Sequence, residues 1–109
     1  MQLSILSAYS GGISIGQRKL FGFSAAGPTS YSQTTGDAVV APTGEYIDAI
    51  SPAMTVSKTY EVRFYPSAVG TTRASWVAKW YVISTGAEVA NAVNLSAESI
   101  QSFYIGGEF

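Results

Sequence analysis

Apolar and polar residues alternate in short runs along this chain and rarely fall at helical spacing. From Thr59 to Tyr65 the run TYEVRFY puts Tyr60, Val62 and Phe64 on one face and Thr59, Glu61, Arg63 and Tyr65 on the other, the pattern of a half-buried strand. From Trp76 to Ile83 the run WVAKWYVI sets Trp76, Ala78, Trp80 and Val82 against Val77, Lys79, Tyr81 and Ile83. Trp76 and Trp80 would also share a helix face, but the run is short and rich in β-branched and aromatic residues, which favours a strand. The two runs predict a hairpin around the loop Pro66–Ser75. Alternation assigns Tyr60, Val62, Phe64, Trp80 and Phe103 to the core.

Other elements follow the same logic. Gln17–Ser24 is a strand with Lys19, Phe21 and Phe23 on one face, in which Gly22 marks a bulge or a close neighbour. Ala25–Gly44 is punctuated by Gly27-Pro28, Gly36-Asp37, Pro42 and Gly44, so it reads as loop with a short strand at Asp37–Ala41. Glu45–Ser51 is a strand ended by Pro52, whose missing N–H cannot extend a ladder. Ser84–Ala87 is a turn, Glu88–Ala90 a brief strand, and Asn94–Ser96 a turn or a single helical turn. Ile100–Ile105 is the last strand, closed by Gly106-Gly107. Residues 1–15 form an N-terminal arm or edge strand, and residues 16–109 a single β domain. The expected class is all-β, a small β-sandwich or jelly-roll-like barrel.

Composition narrows the function. Hydrophobic residues make up 47% of the 109, enough apolar surface to offset the entropy of ordering a chain of this size. Charged residues make up 12%, about half the usual share of roughly 25%, so Ser, Thr, Gly and small apolar residues must cover much of the outside. A surface with so little like-charge repulsion suits packing against other subunits. The net charge is −1 and the cations are scattered except at Arg18-Lys19, which argues against direct nucleic-acid binding. No run approaches the roughly 20 apolar residues of a membrane helix, and the N-terminal run MQLSILSAYSGG lacks the basic region of a signal peptide.

Catalysis is not expected. With no His and no Cys, triads built on them and the usual zinc sites are impossible. Glu45 and Asp48, the closest carboxylates in sequence, would point to opposite faces of a strand, which does not suit a glycosidase pair. No calcium loop or phosphate loop is present, so neither metal nor cofactor is expected.

The aromatics and the hairpin are the better candidates for contact. Both faces of the second arm hold apolar residues, so either the strand is covered on both sides or Val77, Tyr81 and Ile83 meet another chain. Lys79 in their midst calls for solvent or a paired charge. Arg73, the only charge of the Pro66–Ser75 loop, is a candidate interface residue or an exposed tip. An alternative function is a carbohydrate-binding or tail/fibre adhesin module, with Trp76, Trp80 or Tyr81 as an open stacking platform.

From Gly16 to Phe109 the chain carries Gly16-Gln17-Arg18-Lys19-Leu20-Phe21-Gly22, Tyr31 ahead of Gly36-Asp37, and Tyr46-Ile47-Asp48-Ala49-Ile50. Gly86-Ala87-Glu88-Val89, Asn94-Leu95-Ser96-Ala97 and Phe103-Tyr104-Ile105-Gly106-Gly107 follow. In these features it resembles small all-β proteins of tailed bacteriophages, among them head decoration (cement) proteins. The long Met1–Ile15 lead and the Trp76-x-x-x-Trp80 strand depart from that pattern. The resemblance implies a virion protein on the head surface, assembled in the host cytoplasm, often as a trimer, bridging copies of the major capsid protein. It implies no catalytic residues. On this reading Met1–Ile15 is an arm that adds a strand to a neighbour's edge, with Leu3, Ile5 and Tyr9 among its contacts.

Overall fold

The computed structural model describes residues 1–6, 13–67 and 76–108. Among the described residues there is no helix, and nine strands form two antiparallel sheets. They are β1 (Ser4–Ile5), β2 (Ile13–Ile15), β3 (Arg18–Ala26), β4 (Asp37–Val39), β5 (Glu45–Ile50), β6 (Ala53–Met54), β7 (Tyr60–Pro66), β8 (Trp76–Val82) and β9 (Ser99–Glu108). The first sheet runs β1-β3-β9-β5 with β2 also on β3, and the second runs β4-β8-β7-β6. The smallest extent of the molecule is 20 Å, as expected for two sheets about 10 Å apart with outward side chains. The fold is a small β-sandwich.

The hairpin forms in the expected register, with Val62 opposite Trp80 and Phe64 opposite Ala78. Alternation then sends Val62, Ala78 and Trp80 fully inward. In the first sheet Phe21, Phe23 and Ala25 on β3 and Ile100 and Tyr104 on β9 face the same interior. Phe23 meets Phe64 edge-on across the gap at 6.4 Å, while within the sheets Tyr60 meets Trp80 at 6.2 Å and Phe21 stacks on Tyr104 at 5.1 Å.

Two segments switch sheets and close the sandwich at opposite corners. At one, residues 1–3 run beside the end of β4, where Val40 N donates to Met1 O (2.8 Å) and Leu3 N to Val40 O (3.0 Å). The chain then crosses to β3, pairing Ser4 with Ser24 and Ile5 with Phe23. At the other corner the chain leaves β5 along β9 and enters β6: Ser51 N donates to Phe103 O, and Val56 N to Ser99 O. The sequence reading missed β6, because Pro52 signals an end and the two-residue strand beyond it has no period to read.

The N-terminal segment is thus an edge of its own sheet. Ile13, Ser14 and Ile15 pair with Leu20, Lys19 and Arg18, and Leu3 is buried in the core at 2% exposure. That corrects its expected place at a partner interface: the crossing between sheets presses Leu3 inward. Phe103 is a second correction, being 51% exposed because β9 sends Ile100, Ser102 and Tyr104 inward. The expected strand at Glu88–Ala90 is only a single bridge between Glu88 and Tyr81. Asn94–Ser96 is a turn, held by Ser96 N and its hydroxyl on Asn94 Oδ1.

The loop residues contribute core as well. Tyr31, Val89 and Leu95 are buried, and Tyr31 anchors its loop by accepting from Trp80 N (3.1 Å) while donating to Glu88 (2.7 Å). On the first sheet the buried Tyr104 donates to Glu45 (2.6 Å). Burial, and then the hydrogen bond to the neighbouring carboxylate, raises the pKa of both phenols above the ordinary tyrosine value. A phenol whose pKa is raised on folding supports the folded state below its ordinary value and loses that support as pH climbs through the raised one. We therefore expect the fold to hold through about pH 10 and fail above it. Tyr31 and Tyr104 should gain tyrosinate absorbance only together with the loss of the β-sheet circular dichroism signal. Tyrosinate formation by all seven tyrosines well before unfolding would contradict this.

Candidate interaction surface

Residues paired across strands share a face, so the register identifies what the first sheet shows to solvent. Ile13 pairs with Leu20, Leu20 with Ile105, Ile105 with Ala49, and Gly22 with Phe103. These side chains lie opposite the core-facing set of Phe21, Phe23 and Tyr104. The result is an apolar outer face crossing four strands, with Ile13, Ile15 and Phe103 each about half exposed. Phe103 stands at the middle of β9, the central strand, between two depressions. One, of about 350 Å³, is lined by Leu6, Ile13, Leu20, Gly22, Gln101, Ser102 and Phe103. The other, of about 200 Å³, is lined by Ala49, Ile50, Ser51, Phe103 and Ile105.

Gly22 explains the larger hollow. It lies directly across from Phe103, and having no side chain it leaves floor space beside the ring. The charged groups of this face sit at one end, where Arg18 Nε bonds the Asp48 carboxylate and the guanidinium lies 6.0 Å from the Tyr46 ring centroid. The pair cancels, so the apolar stretch carries no net charge at that end. Asp48 reaches Arg18 from a register shift between Ile47 and Ala49, which a strict alternation cannot anticipate.

The second sheet presents a different outer face. Val77, Tyr81 and Ile83 do point away from the core, but their surroundings differ. The loop that ends at Gly36 closes over Val77, and a Cβ on Gly36 would come 2.3 Å from Val77 Cγ1. Lys79 donates to Gln33 O (3.0 Å) and lies 3.8 Å from Glu88, so its charge is paired within the chain. Tyr81 lies under Arg63, whose guanidinium is 4.5 Å from the ring centroid, and Glu61 in turn bonds Arg63 (3.2 Å). The Tyr81 pKa is raised to about 12, first by its hydrogen bond with Tyr65 and then by partial burial. Ile83 is open and joins Pro52, Ala53, Met54 and Glu61 around a hollow of about 240 Å³. The chain itself therefore covers much of the row on which sequence reasoning placed a partner.

Of the other expected contact residues, Ile5 is half-buried on β1 against the core cluster. Tyr9 and Arg73 lie outside the described residues. Neither tryptophan forms an open platform. Trp80 is fully buried, and Trp76 is half-buried with its indole N–H on Ile47 O (3.0 Å). Among the described residues no group of three or more carboxylates is placed to hold a metal ion, and no helix is long and apolar enough to cross a membrane. Glu45 and Asp48 are engaged separately, by Tyr104 and by Arg18. No family model matches the chain, and neither a curated protein nor a solved structure matches it.

Proposed function

We propose that this protein is a non-catalytic structural component of a bacteriophage virion. It decorates the head shell and stabilises it by bridging capsid subunits. The observation that supports this most is the neutral apolar face around Phe103 on a closed, well-packed sandwich. A sheet face with half-exposed isoleucines and a phenylalanine has its natural use in lasting contact with protein. Bridging needs a second contact surface, and the Met54–Ile83 hollow on the other sheet supplies a candidate. Repetition over many equivalent positions turns modest individual contacts into strong overall attachment. A glycan-binding module would draw support from indole faces open to solvent, whereas Trp80 is enclosed.

The test is quantitative peptide mass spectrometry on purified virus particles from the source, comparing copies of this chain with copies of the major shell protein. A ratio near one is expected. A few copies per particle would move the protein to the tail, neck or fibres, and its absence from particles would refute a virion role.

A further inference from the structure

We propose that the outer face of β2, β3, β9 and β5 is a self-association surface, on which two copies of this chain pair about a two-fold axis beside Phe103. The proposal concerns the isolated protein, where no shell subunit competes for this face; on a shell a weak dimer would open to free it, and the two readings are tested separately.

Several features of the face favour a second copy as its occupant. The first is the placement of polar groups. Phe103 lies at the midpoint of β9, with the Arg18–Asp48 pair toward one end of the face and Gln101 opposite Ser24 toward the other. A two-fold axis through the centre lays the ion pair of each copy over the Gln101–Ser24 end of its mate. With the axis between the Phe103 row and the Ile105 row, polar then meets polar at both ends, and Phe103 of each copy meets the Ile13, Leu20 and Ile105 row of the other. That is the self-complementarity an isologous interface requires.

The second feature is shape. A cavity of about 150 Å³ is enough to admit a benzene ring, and the hollow beside Phe103 measures about 350 Å³. It therefore has room for the Phe103 ring of the other copy, and two such insertions occur together by symmetry. The third is area. The four strands, of three, nine, ten and six residues, spaced about 4.8 Å apart at about 3.3 Å per residue, offer roughly 450 Å² per copy. Two copies would bury on the order of 900 Å², in the range of weak, transient contacts and below that of standard interfaces, so a weak, concentration-dependent dimer is the expected form. A nucleic acid or an anionic membrane would instead need uncompensated cations, and Arg18 is bonded to Asp48.

The experiment is sedimentation equilibrium of the full chain over a concentration series, with no shell protein present. The expected result is a monomer–dimer equilibrium that Phe103→Lys weakens on the order of 100-fold, since a central aromatic anchor becomes a charge. Phe103→Leu should stay within about tenfold of the parent, and Tyr65→Ser, on the opposite sheet, should leave the equilibrium unchanged. Thermal melts confirm that each variant is folded. Ile13→Lys, on an edge strand, gives a second reading of the same face should Phe103→Lys fail to fold. A chain that stays monomeric up to about 1 mM overturns the proposal. So does a trimer, or a dimer that neither lysine variant affects. Because particles are absent from this measurement, its failure leaves the copy-number test of the virion role untouched.

Discussion

Replacing Trp80 with alanine is expected to cost about 3–5 kcal/mol, the range for removing a large buried aromatic side chain. The side chain is fully buried at the centre of β8, opposite Val62 and against the edge of Tyr60, and it is the largest wholly enclosed side chain in the described protein. A domain of this size has about 5–15 kcal/mol of total stability, so the loss is a large fraction of it. At roughly 4–8 °C per kcal/mol the melting temperature should fall by on the order of 20 °C. Phenylalanine should be much milder, about 1–2 kcal/mol, for a reason specific to this site. The indole Nε1 is buried without a hydrogen-bond partner, so removing it with the second ring relieves an unsatisfied donor while part of the apolar volume is retained. Chemical denaturation of the two variants beside the parent measures both costs. Equal losses for phenylalanine and alanine would mean that the indole nitrogen contributes favourably, through a partner yet to be located.

Much of this core was legible in the sequence because the hairpin alternates cleanly. With Tyr60, Val62 and Phe64 on one parity and polar residues on the other, only one face can be buried, and the structure buries it. β3 was equally readable, since Lys19 is the only charge on the face of Phe21 and Phe23 and sits at the strand's start. β9 was not. In SIQSFYIGGE both parities contain large apolar residues, so the alternation that placed Phe103 in the core fits Tyr104 there equally well. The deciding interaction is remote: Tyr104 stacks on Phe21 and reaches Glu45, neither of which is near it in sequence. Tyr31, Val89 and Leu95 escaped for a related reason, because loop residues have no period and their burial depends on where the loop lands.

The contact surface was legible only in its ingredients. Ile13, Ile15, Leu20, Phe103 and Ile105 come from three strands, and only the pairing registers bring them together on one side. One signal was present in the sequence. Gly22 interrupts an otherwise bulky strand, and such a residue marks a place where something approaches closely or a space is kept open. The second arm misled because its outer row looks unpartnered until the Gly36 loop is seen to lie on Val77 and Lys79. Apolar residues on both parities of a strand establish cover on both sides. They do not tell whether the cover is another chain or the same one.

Introducing a single methyl group at Gly106 should be about as damaging as losing the Trp80 indole. Gly106 and Gly107 were expected to close the last strand, yet β9 runs through both of them, with Gly106 paired to Lys19 on one side and Ile47 on the other. A Cβ at Gly106 would lie 1.8 Å from the backbone carbonyl oxygen of Tyr46 and 2.9 Å from its carbonyl carbon. Those are main-chain atoms of the neighbouring strand, so no rotamer change relieves the clash, and β5 must move away from β9. Overpacking of this kind costs about 1–3 kcal/mol and more where backbone is displaced, so a loss of about 3 kcal/mol or more is expected for Gly106→Ala. Gly107→Ala is the internal comparison. There the new Cβ would meet the Tyr46 side chain, nearest at its hydroxyl (2.7 Å), and this largely buried ring can shift where main chain cannot, at a cost of about 1–2 kcal/mol. Thermal melts rank the two substitutions, and amide exchange locates the damage. The Gly106 variant should lose protection along Glu45–Ile50 first, while β7 and β8 keep theirs until global unfolding. A Gly106→Ala protein with native stability and a protected β5 would mean that these glycines are dispensable, and that the close approach of Tyr46 to β9 is not what requires them.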